Sequence, residues 1–216
     1  MASNAVVGTR NVALVGPPNC GKTSLFNALT GKRQKVANYP GVTVERKTGG
    51  FRTACGNVYR VIDLPGTYSL RARSPDEVVT RDVVLGRLEG EKQPDILLCV
   101  ADATNLRVSL RLTLELKRTG LPLLLVLNMA DIAAKRGFVI DLPALEKVLG
   151  IPVTTAVAVR SGGICRLLDR LDGMGAVRPR PSEWKTPSGA DLRALQRAAD
   201  AVIRAALAEA GVGVGD

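Results

Sequence analysis

The chain has 216 residues, 46% of them hydrophobic and 23% charged, a balance that excludes a predominantly disordered polymer. Its 30 basic and 20 acidic residues give a net charge of +10, most of it in the first 175 residues, which suits a polyphosphate, nucleic acid or anionic lipid surface. Histidine is absent and the four cysteines, Cys20, Cys55, Cys99 and Cys165, form no CxxC pair, which excludes imidazole catalysis and disfavours zinc or iron–sulfur sites.

Residues 1–10 read as an extension without the apolar stretch of a secretory signal. The longest apolar runs, 96–101 and 121–127, fall far short of the roughly 20 residues that cross a bilayer, so no span is expected and the cytoplasm is. Residues 11–15 read as a first strand, followed by a Gly-rich turn and a helix over 22–29 that Gly31 stops. Residues 45–53 and 58–63 flank Ala54-Cys55-Gly56-Asn57 as a hairpin, which supplies the sheet's one antiparallel strand. Ser74-Pro75-Asp76-Glu77 is a capping box that opens a helix toward Leu88.

Runs 96–102 and 121–128 are near-continuously apolar, as expected of central strands covered on both faces. Between them Leu106, Leu110, Thr113, Leu114 and Lys117 recur at helical spacing. Pro143 starts a helix to Leu149, residues 153–156 form a short strand, and 164–171 form a helix that closes a domain at 11–173. Residues 174–189 shift to Gly, Pro, Ser and Arg and read as a linker. Over 190–210, Leu192, Leu195, Ala199, Val202, Ala206 and Ala210 mark the apolar face of a helix that Gly211 ends, a remnant of a helical domain. One such helix cannot bury its own stripe, so it must pack on the main domain or on another segment.

Gly16-Pro17-Pro18-Asn19-Cys20-Gly21-Lys22-Thr23 fits GxxxxGK[ST] and stands between a predicted strand and a predicted helix, the context in which that loop works. Backbone N–H groups up to Ser24 suit a β-phosphate, Lys22 neutralises phosphate oxygens and Thr23 ligates Mg²⁺. Asp63-Leu64-Pro65-Gly66 leaves a strand end of the same sheet, bringing Asp63 to the Mg²⁺ through water and Gly66 N–H to a γ-phosphate. Gly41-Val42-Thr43 occupies the loop where a threonine ligates Mg²⁺ only in the presence of a γ-phosphate. After the last long apolar strand comes Asn128-Met129-Ala130-Asp131. Asp131 can accept from the N1–H and exocyclic amine of guanine, a donor pair that adenine lacks in that arrangement, so GTP is expected over ATP. The motifs and the alternating elements predict an α/β P-loop NTPase of the Ras-like G-domain kind. Its mostly parallel sheet would have six strands, one of them antiparallel, with helices on both faces and a C-terminal helical segment.

Residues 11–173 resemble the cytoplasmic G domain at the N-terminus of the ferrous iron transport protein B family. The resemblance rests on GPPNCGKTSLFN at 16–27, NYPGVTVERK at 38–47, DLPGTYSL at 63–70, SPDEVVTRD at 74–82, ADATNL at 101–106 and LNMAD at 127–131. It implies a GTPase that cycles between GTP and GDP with Mg²⁺ and controls a membrane permease in the same full-length protein, at the cytoplasmic face of the bacterial inner membrane. Oligomers of the full-length protein are compatible with it. The resemblance also implies K⁺, because Asn19 matches the asparagine that helps hold this ion in potassium-activated relatives; bracing of the loop by hydrogen bonding is the other reading of Asn19. Thr67 stands where Ras-like proteins carry a water-orienting glutamine. The candidate catalytic set is therefore Asn19, Lys22, Thr43, Gly66 and Thr67. Val157, Ala158 and Val159 form the last nucleotide loop, with backbone N–H for the guanine O6, although relatives often have a small polar residue there. Where the family continues into a helical bundle and a permease, this chain stops after one helix, so a piece of a longer protein is expected.

Two other functions fit parts of the sequence. A basic nucleic-acid- or ribosome-associated GTPase is suggested by the positive charge of the first 175 residues, although basic residues such as Arg107, Arg111, Lys117 and Arg118 can equally face water or lipid headgroups. The scarcity of aromatics and the lack of an RNA-binding module argue against it, and no nucleic-acid partner is expected. A binding module with negligible turnover is the other. The four thiols read mainly as small core residues, with Cys20 placed at a helix N-terminus that would lower its pKa and expose it to redox control.

Overall fold

The computed structural model describes residues 9–31, 34–158, 160, 162–174 and 184–208. Along the chain come β1 (Arg10–Val15), α1 (Lys22–Thr30), β2 (Gln34–Asn38), β3 (Glu45–Arg52), β4 (Val58–Asp63), α2 (Pro75–Val84) and β5 (Ile96–Asp102). Then follow α3 (Leu106–Lys117), β6 (Leu123–Asn128), α4 (Ala130–Lys135), α5 (Leu142–Leu149), β7 (Val153–Thr155), α6 (Cys165–Gly173) and α7 (Gly189–Ala208).

The strands form one sheet in the order β2-β3-β4-β1-β5-β6-β7. Only β3 runs against its neighbours, as the hairpin predicts, but the sheet has seven strands rather than six. The extra one is β2, exposed at every position. Gln-Lys-Val-Ala-Asn has no apolar alternation to announce a strand; it forms because β3 supplies its ladder partner along the sheet edge.

Successive residues of a strand point to opposite faces, and the central strands feed two cores. Ala13, Val15, Leu97, Cys99 and Leu125 pack with α2, α3 and α5 on one side. Val12, Leu14, Leu98, Val100 and Val126 pack with Leu25 and Phe26 of α1 and Leu167 and Leu171 of α6 on the other. All polar loops that matter for chemistry leave the same edge of this sheet, the C-terminal ends of the parallel strands, where ligands of such sheets bind.

The capping box forms in a modified way. Ser74 Oγ accepts from the Glu77 N–H at 3.3 Å, but the Glu77 carboxylate reaches back to the N–H of Arg73 rather than to that of Ser74. The helix is also shorter than predicted, ending at Val84. The unpredicted α4 is a short turn of helix launched from Met129, whose left-handed φ of 59° no propensity signals.

The C-terminal helix packs on the main domain. α7 lies along α3 and α5 and puts Ala199 and Val202 into the core that also holds Trp184. Arg107 on α3 donates twice to Asp200, at 2.8 and 3.1 Å, and Arg118 faces Asp191. Lys117 donates to the Leu149 carbonyl and Arg111 to that of Tyr68. The four basic side chains thus have partners within the fold. Residues 175–183 of the linker, and Glu209, Ala210 and Gly211 at the predicted helix end, lie outside the described residues.

Two cysteines depart from the core reading: Cys20 and Cys99 are buried, whereas Cys55 and Cys165 are exposed. Burial pushes the Cys20 thiol up, outweighing the opposing charge of Lys22, so the low-pKa environment expected from the helix N-terminus is overturned.

Candidate functional site

The loop between β1 and α1 wraps around its own lysine. Lys22 is buried, and its ammonium donates to the carbonyls of Gly16 at 3.0 Å and Pro17 at 2.9 Å. Those two bonds fix the head of the side chain at the rim of a cleft of about 430 Å³, which Thr23, Thr43, Asp63 and Gly66 also line. α1 starts here, with Gly21 as its N-cap, so the unpaired N–H groups of its first turn and their partial positive charge are available to an anion.

Three glycines are dictated by close approach. A Cβ on Gly16 would stand 2.3 Å from the Val100 carbonyl, and one on Gly66 would stand 2.9 Å from Pro18. At Gly21 the φ of +87° already disfavours any L side chain, and a Cβ would meet Asn128 Nδ2 at 2.1 Å. Among the described non-glycine residues only Asn19 and Met129 have positive φ, and both belong to the predicted site, one in the phosphate loop and one in the base-reading turn.

The two metal-ligating candidates on rigid elements meet directly. Thr23 Oγ1 donates to Asp63 Oδ2 at 2.9 Å. The other oxygen, Asp63 Oδ1, is buried without any hydrogen-bond partner, and burial pushes the carboxyl up despite Thr23, Lys22 and Lys47. A buried, unpaired carboxylate oxygen beside a hydroxyl is a costly arrangement unless a cation or its water shell completes it. Hard oxygen donors of this kind suit Mg²⁺, so the residues present fit that ion. Thr43 reaches the same cleft from an exposed loop closed by Tyr39 N–H to the Val44 carbonyl at 3.0 Å and by Val42 N–H to the Tyr39 carbonyl. The Tyr39 ring anchors that loop in the core. Gly41 and Val42 are exposed on it.

Thr67 closes the loop that follows Gly66. It is fully buried, and its hydroxyl donates to the Ser69 carbonyl at 2.6 Å, so the side chain is not available to orient a water molecule. Its backbone is what meets the phosphate loop: Thr67 N–H donates to the Gly16 carbonyl at 3.1 Å. Thr80 Oγ1 holds the Pro65 carbonyl of the same loop at 2.9 Å.

On the base side, Asn128 links three motifs. Its Nδ2 donates to the Cys20 carbonyl at 3.1 Å, and its Oδ1 faces the Ala158 N–H at 3.5 Å. Asp131, three residues on, is paired with Arg160 at 3.2 Å. Val157 belongs to the turn closed by its N–H to the Gly163 carbonyl, whereas Val159 lies outside the described residues. Pro17 is buried in the phosphate loop, with Pro18 and Asn19 exposed and Ser24 on the first turn of α1.

Sequence reasoning missed Glu45, Lys47 and Asp76, which also line the cleft, and Arg160 as the partner of Asp131. Nothing in their spacing distinguishes them from surface charges.

Comparison with known proteins identifies the family. The sequence profile of ferrous iron transport protein B matches residues 10–171. The chain is 48% identical over 160 residues to an Fe(2+) transport protein A/Fe(2+) transporter FeoB fusion protein of Porphyromonas gingivalis, covering 74% of this chain and 18% of that protein. It is 47% identical over 154 residues to the Fe(2+) transporter FeoB of Salmonella typhimurium, covering 71% and 20%. The chain thus spans about a fifth of the length of these relatives. Its fold is similar to that of the cytosolic domain of the T. maritima FeoB iron transporter in a GDP form, with a TM-score of 0.80 at 30% identity over 93% of this chain and 98% of that one. That protein has also been solved in a GMPPNP form. By profile, sequence identity and fold alike, the chain belongs to the ferrous iron transport protein B family, of which it carries the N-terminal G domain.

Proposed function

We propose that this chain binds and hydrolyses GTP, and that the difference between its GTP and GDP states controls a ferrous iron permease elsewhere in the same protein, at the cytoplasmic face of the bacterial inner membrane. The observation that carries the reading is the convergence of Lys22, Thr23, Thr43, Asp63 and Gly66 on one cleft, with Asp63 Oδ1 buried and unpaired inside it. The GDP and GMPPNP forms of the T. maritima relative support the nucleotide, and the transporter relatives support the iron context.

The reaction is transfer of the γ-phosphoryl group to water, where positioning and charge compensation outweigh covalent chemistry. Lys22, held by two loop carbonyls, meets the β- and γ-oxygens without having to be ordered first. Backbone N–H groups of the phosphate loop from Asn19 to Ser24 bind the β-phosphate, Pro17 and Pro18 having none to offer. Thr23 and Thr43, together with Asp63, would hold Mg²⁺, which would supply positive charge to the phosphate oxygens. Gly66 N–H and the Thr43 loop respond to the γ-phosphate, and both relax when it leaves. Thr67 acts through its backbone. Asn128 keeps the phosphate and base loops in register, Met129 sets the turn between them, Asp131 reads guanine, and the loop of residues 157–159 offers backbone N–H to the guanine O6.

Asn19 presents an amide from a left-handed backbone at the exposed rim of the loop, a placement suited to offering its carbonyl oxygen to K⁺. Phosphate release from GTP, followed in K⁺ and in Na⁺ at equal ionic strength, tests both parts of the reading. Turnover is expected to be roughly tenfold or more faster in K⁺, and Asn19→Ala is expected to erase that difference while leaving GDP binding in place. Equal rates in both salts would remove K⁺ from the account; no turnover in either would remove hydrolysis.

Arg160 gives a second expectation. The guanidinium holds the carboxylate that guanine must use, and the pair is more than half exposed on the arginine side, so its strength is modest. Arg160→Ala is expected to tighten GDP binding by roughly two- to fivefold, read as slower dissociation. The same change in an Asp131→Asn background is expected to have no such effect. Weaker GDP binding in Arg160→Ala would mean that the arginine positions Asp131 rather than competes for it.

A further inference from the structure

One buried carboxylate has no part in the chemistry above. Glu115 lies on the inner face of α3 and is fully buried. Its oxygens accept from Ser69 Oγ, at 2.9 Å to each, and from the Leu70 N–H at 2.7 Å. Four residues earlier on the same helix face, Arg111 donates to the Tyr68 carbonyl at 3.2 Å. α3 therefore grips three consecutive residues of the loop that follows Gly66.

From that grip a chain of hydrogen bonds runs to the phosphate loop. Ser69 Oγ also accepts from Arg71 N–H, the Ser69 carbonyl accepts from Thr67 Oγ1, and Thr67 N–H donates to the Gly16 carbonyl. Gly66 stands between these anchors, pressed against Pro18. A buried carboxylate is hard to keep in a core unless its partners are in place, so it fixes the loop in one arrangement instead of allowing many.

We propose that Glu115 is a positioning residue for GTP: by anchoring Ser69 and Leu70 to α3 it holds Gly66 ready for the γ-phosphate before nucleotide arrives. The inference rests on the GTPase reading above. Without the anchor the loop must be ordered by the ligand itself, and only a ligand with a γ-phosphate bears that ordering cost. GDP touches the phosphate loop and the base loops, which Glu115 meets only indirectly, through Thr67 N–H on the Gly16 carbonyl, so its affinity depends far less on the anchor. The Glu115 anchor thus favours the triphosphate state specifically.

The test measures GMPPNP and GDP affinities for the wild type, Glu115→Ala, Glu115→Gln and Ser69→Ala, with amide hydrogen exchange at Leu70. Glu115→Ala is expected to weaken GMPPNP by roughly tenfold while GDP stays within about twofold, and to speed exchange at Leu70. Glu115→Gln keeps an acceptor for the Leu70 N–H and is expected to recover part of the GMPPNP affinity. Ser69→Ala leaves the core of α3 unchanged and is expected to shift the same ratio in the same direction by a smaller factor. Equal weakening of both nucleotides, or an unchanged ratio beside faster exchange, would make Glu115 a structural anchor only and overturn the proposal. Failure of the GTPase reading is separate, because it shows in the wild type as absence of guanine nucleotide binding.

Discussion

Asp131→Asn is expected to strip guanine nucleotides of most of their affinity and to give the site to xanthosine nucleotides. On the proposed reading the carboxylate of Asp131 would accept from two guanine donors at once, and hydrogen bonds to a charged group contribute about 1.5 to 3 kcal/mol each. The substituted amide turns an N–H₂ toward the guanine amine, donor against donor, and leaves Arg160 without its carboxylate. GDP affinity is expected to fall roughly 100- to 1000-fold. Xanthine carries an oxygen in place of that amine, so XDP is expected to bind the variant better than GDP does, reversing the wild-type order. Competition against a fluorescent nucleotide reads both changes. If Asp131→Asn kept its preference for GDP, base choice would have to reside in another contact.

Gly21→Ala is expected to abolish nucleotide binding while the sheet still folds. An alanine there would have to adopt a φ of +87° and place its Cβ 2.1 Å from Asn128 Nδ2. The left-handed backbone costs roughly 1 to 2 kcal/mol, and displacing Asn128 breaks its bond to the Cys20 carbonyl, worth about 1 kcal/mol more. That bond ties the phosphate loop to the base-reading turn, so its loss misaligns both ends of the nucleotide site together. A fall in Tm of roughly 5 to 10 °C with circular dichroism unchanged, and no detectable GDP binding, is the expected result. Full GDP affinity in Gly21→Ala would show that the loops tolerate independent placement.

The parts of this molecule that were legible in the sequence are those where one local pattern has one physical meaning. Fully apolar runs became β5 and β6, covered on both faces, and Ser74-Pro75 started α2. The phosphate loop was readable because its lysine, glycines and flanking elements all serve one anion, and the structure brings Thr43, Asp63 and Gly66 to it. What escaped depended on partners distant in sequence. β2 exists through β3, and its own residues show no strand pattern. The partners of the Thr67 hydroxyl, Ser69 and Glu77, come from the loop's own fold and from α2, so no local pattern announces them. At Cys20 burial outweighs the helix N-terminus and pushes the thiol up, which agrees with an inert loop thiol. Arg160 and Glu115 looked like ordinary helix or loop charges until the fold set them against Asp131 and Ser69. The basic residues of α3 illustrate the same limit: side chains that read as facing water have partners on α7 and among neighbouring carbonyls.

The central claim is that this cleft takes guanine nucleotides with Mg²⁺. Calorimetric titration of the chain with GDP, GMPPNP and ADP, in the presence of Mg²⁺, tests it most directly. The account predicts that both guanine nucleotides bind and that ADP is weaker by roughly 100-fold or more, because an adenine leaves Asp131 without its donors. ADP binding as tightly as GDP, or no binding of either guanine nucleotide, would contradict it.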